Sequence, residues 1–386
     1  MDKPKLVRIT TVPLSLEKLL NGQWRYFKNH YSITAVSSDS EKLEDFGSAF
    51  EIPVFHLPLT RKITPLQDLR CIIKLYHFLR KEKPLIVHSQ TPKAGLIGMI
   101  AAFIARVPIR MHDVVGLPLM EKTGAKYHLL YWVEKLVYAC AHKIYPNSFG
   151  LQDYMINTGL AVTRKMEVLG HGSSNGIDTT FFSKSHYSSS SKQAFIKKWK
   201  LKKTDFIYLF IGRLVGDKGI NELVSAFNDL TQVDDNIKLL LVGPYENELD
   251  PLKTETKEKI ANNPQIITTG YQDDVRLFLA HASCFVFPSY REGFPNVVLE
   301  AAAMEMPCIV SDINGSNEII FNEVNGLVVP KKDTHGLKTA MHRMYSDKDF
   351  RAKMALNAKN GIAEKFDKKV FYKALLNEYK KLERNV

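Results

Sequence analysis

No uninterrupted apolar run in this sequence exceeds Ala94–Ala105, which is bracketed by Lys93 and Arg106. A helix needs about 20 apolar residues to cross a bilayer, so no membrane span is expected. The opening segment, Met1–Val12, has no charged stretch followed by a long apolar one, so a secretory signal is not expected either and a cytoplasmic location follows. Cysteine is scarce. Cys71, Cys140, Cys284 and Cys308 lack metal-ligand spacing and lie in apolar contexts, from which reduced core thiols are expected, with neither disulfide nor zinc. A Gly-x-Gly-x-x-Gly between a first strand and its helix is missing, which argues against a nicotinamide-dependent dehydrogenase. The segment Gly212-Arg213-Leu214-Val215-Gly216-Asp217-Lys218 has the wrong glycine spacing for a P-loop. Asp347-Lys348-Asp349 stands between helical stretches rather than at the end of an apolar strand, so it is expected to start a helix and not to hold a metal. Nothing resembles a nucleic-acid module, and no nucleic-acid partner is expected.

What is present is an ample core for two domains: 386 residues, 45% of them hydrophobic. The formal charge is +12, and +8 of it falls in residues 1–180. A basic half can meet an anionic membrane surface, and peripheral attachment is expected there, assisted by the apolar Ala94–Ala105 stretch. A charged solubilising surface is the bland alternative. Short apolar runs alternate with helical patterns along nearly the whole chain, the mark of parallel sheets with crossover helices. Strands are expected at 6–11, 33–37, 54–57, 85–88, 109–112, 143–146 and 167–169, then again at 206–211, 238–242, 266–268, 284–287, 308–311 and 326–329. Between the two sets, residues 183–203 carry four consecutive serines and a lysine-rich run, a composition suited to an exposed connection. The expected fold class is α/β with two Rossmann-like domains, at 1–182 and 183–365, facing one another across a cleft at the carboxyl ends of their strands.

One segment concentrates chemistry. The apolar run Phe285-Val286-Phe287-Pro288-Ser289 leads into Arg291-Glu292-Gly293-Phe294-Pro295-Asn296-Val297-Val298-Leu299-Glu300. This predicts a buried strand, a glycine turn and a helix with Pro295 at its first position. The backbone from Gly293 to Val297 would present free N–H groups and partial positive charge to a phosphate, while Glu292 and Glu300 could accept hydrogen bonds from sugar hydroxyls. Ile211-Gly212-Arg213-Leu214 ends another strand, and Lys218 follows at a helix start, so two cations converge on one loop and could neutralise a diphosphate. His88 and His112 each stand at the end of a predicted strand.

The spacing of Glu292 and Glu300 in E-G-F-P-N-V-V-L-E, together with F-x-G-R-L and the later K-G, resembles the retaining glycosyltransferases of the GT4 group, which have the GT-B fold. The resemblance covers most of the chain, strongly in residues 205–330. It implies that Gly212, Arg213 and Lys218 bind the donor's diphosphate, that Glu300 holds ribose hydroxyls and that Glu292 holds hydroxyls of the transferred sugar. It further implies that His112 touches that sugar from the other domain, that the loop at Tyr271 holds the nucleotide base and that the last helix, 366–386, packs back on the first domain. Asn314-Gly315-Ser316 resembles a loop lining the donor side. Many members carry a glycine pair after the first strand, whereas Thr10-Thr11-Val12-Pro13 stands here, as in a subgroup that builds bacterial surface polysaccharides on a lipid carrier.

The implied function is transfer of a sugar from a nucleoside-diphosphate donor, UDP-linked GalNAc, GlcNAc, Gal or Glc, to a lipid-linked saccharide of a capsule or O-antigen, at the inner face of the cell membrane. Arg213, Lys218 and the helix end would carry the phosphate charge, so no cofactor and no divalent metal are required. A GDP-sugar transferase, a UDP-sugar 2-epimerase of the same fold and a non-catalytic nucleotide-sugar-binding subunit remain the alternatives.

Overall fold

The computed structural model describes residues 3–386 apart from 21, 232, 233, 235, 247 and 249. The chain divides into two compact units, Met1–Gly176 with Lys369–Val386, and Ile177–Lys368. Each is built on one six-stranded parallel sheet with helices on both faces. Strands covered on both faces tend to be apolar throughout rather than alternately, and the central strands of the second unit follow this. All six residues of Phe206–Ile211 are buried, as are all four of Cys284–Phe287 and of Cys308–Ser311.

In the first unit the strands are β1 (Lys5–Ile9), β2 (Ser32–Ser37), β3 (Val54–His56), β4 (Ile86–Gln90), β5 (Ile109–Val114) and β6 (Lys143–Pro146), in the order β3-β2-β1-β4-β5-β6. The helices are α1 (Pro13–Leu19), α2 (Gln23–Phe27), α3 (Ser40–Phe50), α4 (Pro65–Glu82), α5 (Pro92–Ile104), α6 (Gly124–Cys140) and α7 (Phe149–Asn157). The chain first winds one way from β1 and then the other, and right-handed crossovers therefore send the helices to opposite faces. One face carries α4 to α7 against Val7, Ile9 and Val87, with α5 packed between α4 and α6. The other carries α1 to α3 against Leu6, Ile33 and Ile86.

The second unit holds β7 (Phe206–Ile211), β8 (Ile237–Val242), β9 (Ile266–Gly270), β10 (Cys284–Phe287), β11 (Cys308–Ser311) and β12 (Gly326–Val329), ordered β12-β11-β10-β7-β8-β9. Its helices are α8 (Ser189–Lys198), α9 (Ile220–Thr231), α10 (Thr254–Asn262), α11 (Arg276–His281), α12 (Asn296–Ala303), α13 (Ser316–Ile319), α14 (Thr334–Ser346) and α15 (Lys348–Lys365). The final helix, α16 (Lys368–Glu383), returns to the first unit, where Phe371, Tyr372, Leu375 and Tyr379 join Trp24, Phe27 and Tyr31 in the core. Asp347 caps α15 by accepting from the Phe350 N–H, so this stretch does start a helix.

Four sequence expectations need correction. Residues 167–169 form no strand: after a single bridge between Met166 and Ile144 the chain turns away at Gly170, where φ is +60°. The serine-rich connection contains α8, because Ser188 caps it through the Ser191 N–H and Phe195 is buried against Phe278, 5.4 Å between centroids. Ala94–Ala105 falls in the interior helix α5, packed between α4 and α6, and of this stretch Phe103 and Ile104 near its end are exposed. Pro295 is the N-cap of α12 with extended ψ, not its first residue, which is Asn296.

Candidate active site

In the second unit the winding direction reverses between β7 and β10, and the loops leaving their carboxyl ends diverge there. Such a reversal opens a crevice in a parallel sheet. The β7 loop supplies Gly212, Arg213 and Lys218, and the β10 loop supplies Ser289 to Pro295. Three close approaches without a side chain hold these loops together. A Cβ on Gly219, at φ +70°, would stand 2.1 Å from the Pro288 carbonyl oxygen; on Gly243, 1.9 Å from the Gly212 oxygen; on Gly315, 2.5 Å from the Gly293 oxygen. Only glycine permits such contacts. Backbone bonding adds to them, since the Tyr290 N–H donates to the Asp217 carbonyl at 2.8 Å.

The charged groups then fall into place. The Lys218 ammonium pairs with Glu292 Oε1, and both side chains are mostly buried. Ser289 Oγ donates to the same carboxylate oxygen at 3.1 Å, and the Lys218 Nζ also lies 5.7 Å from the Phe287 ring centroid. Arg213 Nη1 reaches Glu246 Oε2 at 2.7 Å, and this bond, with help from Asp217 and Glu292, raises the guanidinium pKa. Arg291 Nη2 pairs with Asp217 Oδ2 at 2.6 Å. Asn314 Nδ2 donates to the Glu292 and Gly293 carbonyls, both at 2.9 Å, which sets the turn leading to α12. Phe294 is buried against Phe366, 5.6 Å between centroids, and so anchors the turn from below.

Lys218, Glu292, Gly293, Pro295 and Asn296 are thus brought to one crevice, with Phe294 in the core beneath the turn and Arg213 on the adjoining strand end. Glu300 and Val297 are half-buried on α12, five and two residues beyond its cap. Tyr271 is 66% exposed beyond β9, separated from β10 by β7 and β8, which is about 14 Å of sheet width. Sequence reasoning missed Glu246, Asp217 and Ser289. Glu246 lies after β8, whose neighbour in the sheet is β7, and no local pattern announces that juxtaposition.

The two histidines belong to the first unit. Strand β5 continues through Asp113 and Val114 because these pair with Tyr145 and Pro146 of β6, so His112 lies within the strand and not at its end. Its ring faces α5, bonded to Ser89 Oγ through Nδ1 at 2.8 Å and covered by Gly95, where a Cβ would stand 2.4 Å from the ring. Burial pushes its pKa down to about 4, so the ring is neutral near pH 7. His88 faces the opposite side of the sheet, with Nε2 2.7 Å from Asp113 Oδ1 and Nδ1 2.7 Å from the Tyr379 hydroxyl of α16. The same hydroxyl accepts from Arg8 Nη1 at 2.9 Å. His88 thus ties the last helix to the sheet.

The winding of the first unit reverses between β1 and β4. There Thr11 and Thr91 hydroxyls lie 2.7 Å apart, and Thr91 holds φ +74°, a strained value for a β-branched residue.

Residues 191–361 match the family described as glycosyl transferases group 1, and residues 32–172 match the glycosyl transferase 4-like domain. The capsular polysaccharide biosynthesis glycosyltransferase CapM of Staphylococcus aureus is 34% identical over 381 residues, covering 98% of this chain and 97% of its own. The Escherichia coli UDP-Gal:alpha-D-GlcNAc-diphosphoundecaprenol alpha-1,3-galactosyltransferase is 27% identical, covering 95% of this chain and 94% of its own. Among solved structures, Anabaena HepE in complex with UDP superposes with a TM-score of 0.81 at 19% identity, over 98% of this chain and 100% of that one.

Proposed function

Because this chain belongs to the group 1, GT4-type glycosyltransferases with the GT-B fold, we propose that it transfers a sugar from a UDP-linked donor to a lipid-linked saccharide during capsule or related surface-polysaccharide synthesis, with retention of configuration. The observation that carries this reading is the Lys218–Glu292 pair set between the β7 and β10 loops, beside the cap of α12. A diphosphate entering that crevice would meet Lys218, Arg213 and the N–H groups at Asn296 and Val297. As it draws Lys218 to itself, Glu292 becomes available to the hydroxyls of the sugar. Glu300, further along α12, would hold the ribose. The donor and acceptor classes are supported by the E. coli relative, whose name specifies UDP-Gal and a diphosphoundecaprenol-linked saccharide, and by the UDP in HepE. The capsular role is supported by CapM.

In this mechanism the bond from the sugar's anomeric carbon to the β-phosphate oxygen breaks while the acceptor hydroxyl oxygen attacks on the same face. The acceptor's proton passes to the departing phosphate oxygen. The protein supplies no nucleophile; it stabilises the charge that develops on the diphosphate through Lys218, Arg213 and the start of α12. Those fixed positive groups do what a divalent cation does elsewhere, and activity is therefore expected to survive EDTA. Attachment to the inner membrane face would bring the enzyme to its acceptor.

The test is calorimetry with UDP, GDP and ADP, followed by transfer from the matching sugar nucleotide to a lipid-linked saccharide, with and without EDTA. Tightest binding of UDP and metal-independent transfer are expected. Preference for GDP would move the donor class, and loss of activity restored only by metal would remove the metal-free mechanism.

A further inference from the structure

Helix α4 has an outer face that the rest of the first unit leaves uncovered. Along it Leu66, Leu69 and Ile73 are 78%, 55% and 50% exposed, at the three- and four-residue steps that place side chains on one side of a helix. Arg70, Arg80 and Lys81 are exposed on the same side, and Arg61, Lys62 and Ile63 are exposed just before the helix starts. The inner side is different: Cys71, Leu75 and Leu79 enter the core. Both acidic residues of α4 are turned to lysines elsewhere, Asp68 to Lys93 at 2.6 Å and Glu82 to Lys5 at 3.0 Å. What remains outward is apolar and basic.

Helix α6, on the far side of α5, repeats the pattern. Leu129, Trp132 and Leu136 are exposed at successive turns, and Lys135 stands over the Trp132 ring at 5.7 Å. Single exposed apolar residues are ordinary, but two helices of one layer that each present a stripe of them, mixed with basic groups, form a surface suited to a partner. A second copy of this chain, packed face to face about a twofold axis, would bring Arg61, Lys62, Arg70, Arg80 and Lys81 against themselves. An anionic bilayer instead satisfies both chemistries, taking aliphatic and indole side chains at the headgroup level while its charge attracts the cations.

We propose that the outer faces of α4 and α6 form the surface by which this protein lies on an anionic membrane. The proposal deepens the reading of a lipid-linked acceptor and rests on it for its purpose. It also replaces the Ala94–Ala105 stretch as the apolar contributor, since that helix is the interior of the layer.

The test uses the full chain and vesicles that contain no saccharide, so that membrane attachment and acceptor choice are read separately. Flotation with phosphatidylcholine–phosphatidylglycerol vesicles is compared with phosphatidylcholine alone. Wild type is expected to float with the anionic vesicles, to be released by about 1 M salt, where the screening length falls to about 3 Å, and to show a blue-shifted emission that Trp132→Phe abolishes. Leu66→Glu/Leu69→Glu and Arg70→Glu/Arg80→Glu should each lower the bound fraction at least tenfold while their UDP affinity, measured without vesicles, matches wild type and so reports intact folding. Equal flotation of these variants and wild type would overturn the proposal, as would equal binding to the neutral vesicles. A concentration-dependent dimer that Leu66→Glu/Leu69→Glu dissolves would assign the face to a second copy instead. Vesicle binding by a protein that cannot glycosylate a lipid-linked saccharide in detergent would count against the acceptor reading alone.

Discussion

Lys218 and Glu292 are each other's partner, so a mutation at either changes two groups. Lys218→Ala removes a phosphate-binding cation and leaves a mostly buried carboxylate beside the diphosphate; the expected loss in UDP affinity is about 1.5–3 kcal/mol. Glu292→Gln frees Lys218 for phosphate, so UDP affinity should hold or rise while turnover with the intact donor falls. Glu300→Gln should weaken UDP itself. Calorimetry with UDP and initial rates for both variants decide the matter, and a loss of UDP binding confined to Glu292→Gln would reverse the two roles. Away from the crevice, Glu134 of α6 is a titrating residue with a definite sign. Burial, partly offset by Tyr138, pushes its carboxyl up to about 7. A folded value above the unfolded one of about 4.5 means that the protonated form favours the fold: its contribution is complete below about pH 4.5 and lost as pH rises through about 7, a change of about 3 kcal/mol. Glu134→Gln stays neutral and should flatten this slope, which urea midpoints at about pH 5 and about pH 8 would register. A wild-type-like slope in the variant would show that Glu134 is charged throughout.

At the level of elements, the site depends on loops that approach more closely than side chains allow. Gly219→Ala adds a Cβ against the Pro288 backbone and forces alanine to φ +70°, so either β10's loop shifts or the turn before α9 does. A loss above about 2 kcal/mol in denaturant stability is expected, with a parallel loss of UDP affinity because Lys218 is the preceding residue. Stability and affinity at wild-type values would show that the loops have room to spare. The strand Phe206–Ile211 and the string around Glu292 were legible from sequence because a doubly covered strand is apolar without interruption and its ends are marked by glycine and charge. Helix α8 was not, since a serine cap and one buried phenylalanine resemble a loop until Phe278 is seen beside them.

On the scale of the whole molecule, α16 completes the first unit although it comes last in the chain. Tyr379 accepts from Arg8 and bonds His88, and Tyr145 donates to Glu378 Oε1 at 2.9 Å, so this helix satisfies polar groups buried within the sheet. Tyr379→Phe leaves two of them without that partner and should cost about 1–3 kcal/mol. Hydrogen exchange would localise the effect: faster exchange is expected in β1 and β4, with β7 and β10 unchanged. Equal acceleration in both sheets would mean that the two units unfold as one.

Composition and pattern alone determined the α/β class, most of the strands, the presence of two sheets and the string that carries Glu292 and Glu300, because each depends on neighbours in sequence: apolar runs, turn residues and a fixed motif spacing. Tertiary structure decided which side of a strand each group faces and what it meets there. One residue of register separates the face of His88, bonded to the C-terminal helix, from that of His112, closed beneath Gly95. Arg213 meets Glu246 because β7 and β8 are adjacent, and Lys218 meets Glu292 because β10 returns to the opposite side of β7. These are contacts across a sheet between residues distant in sequence, and periodicity along one segment carries no information about which strand will lie next to it.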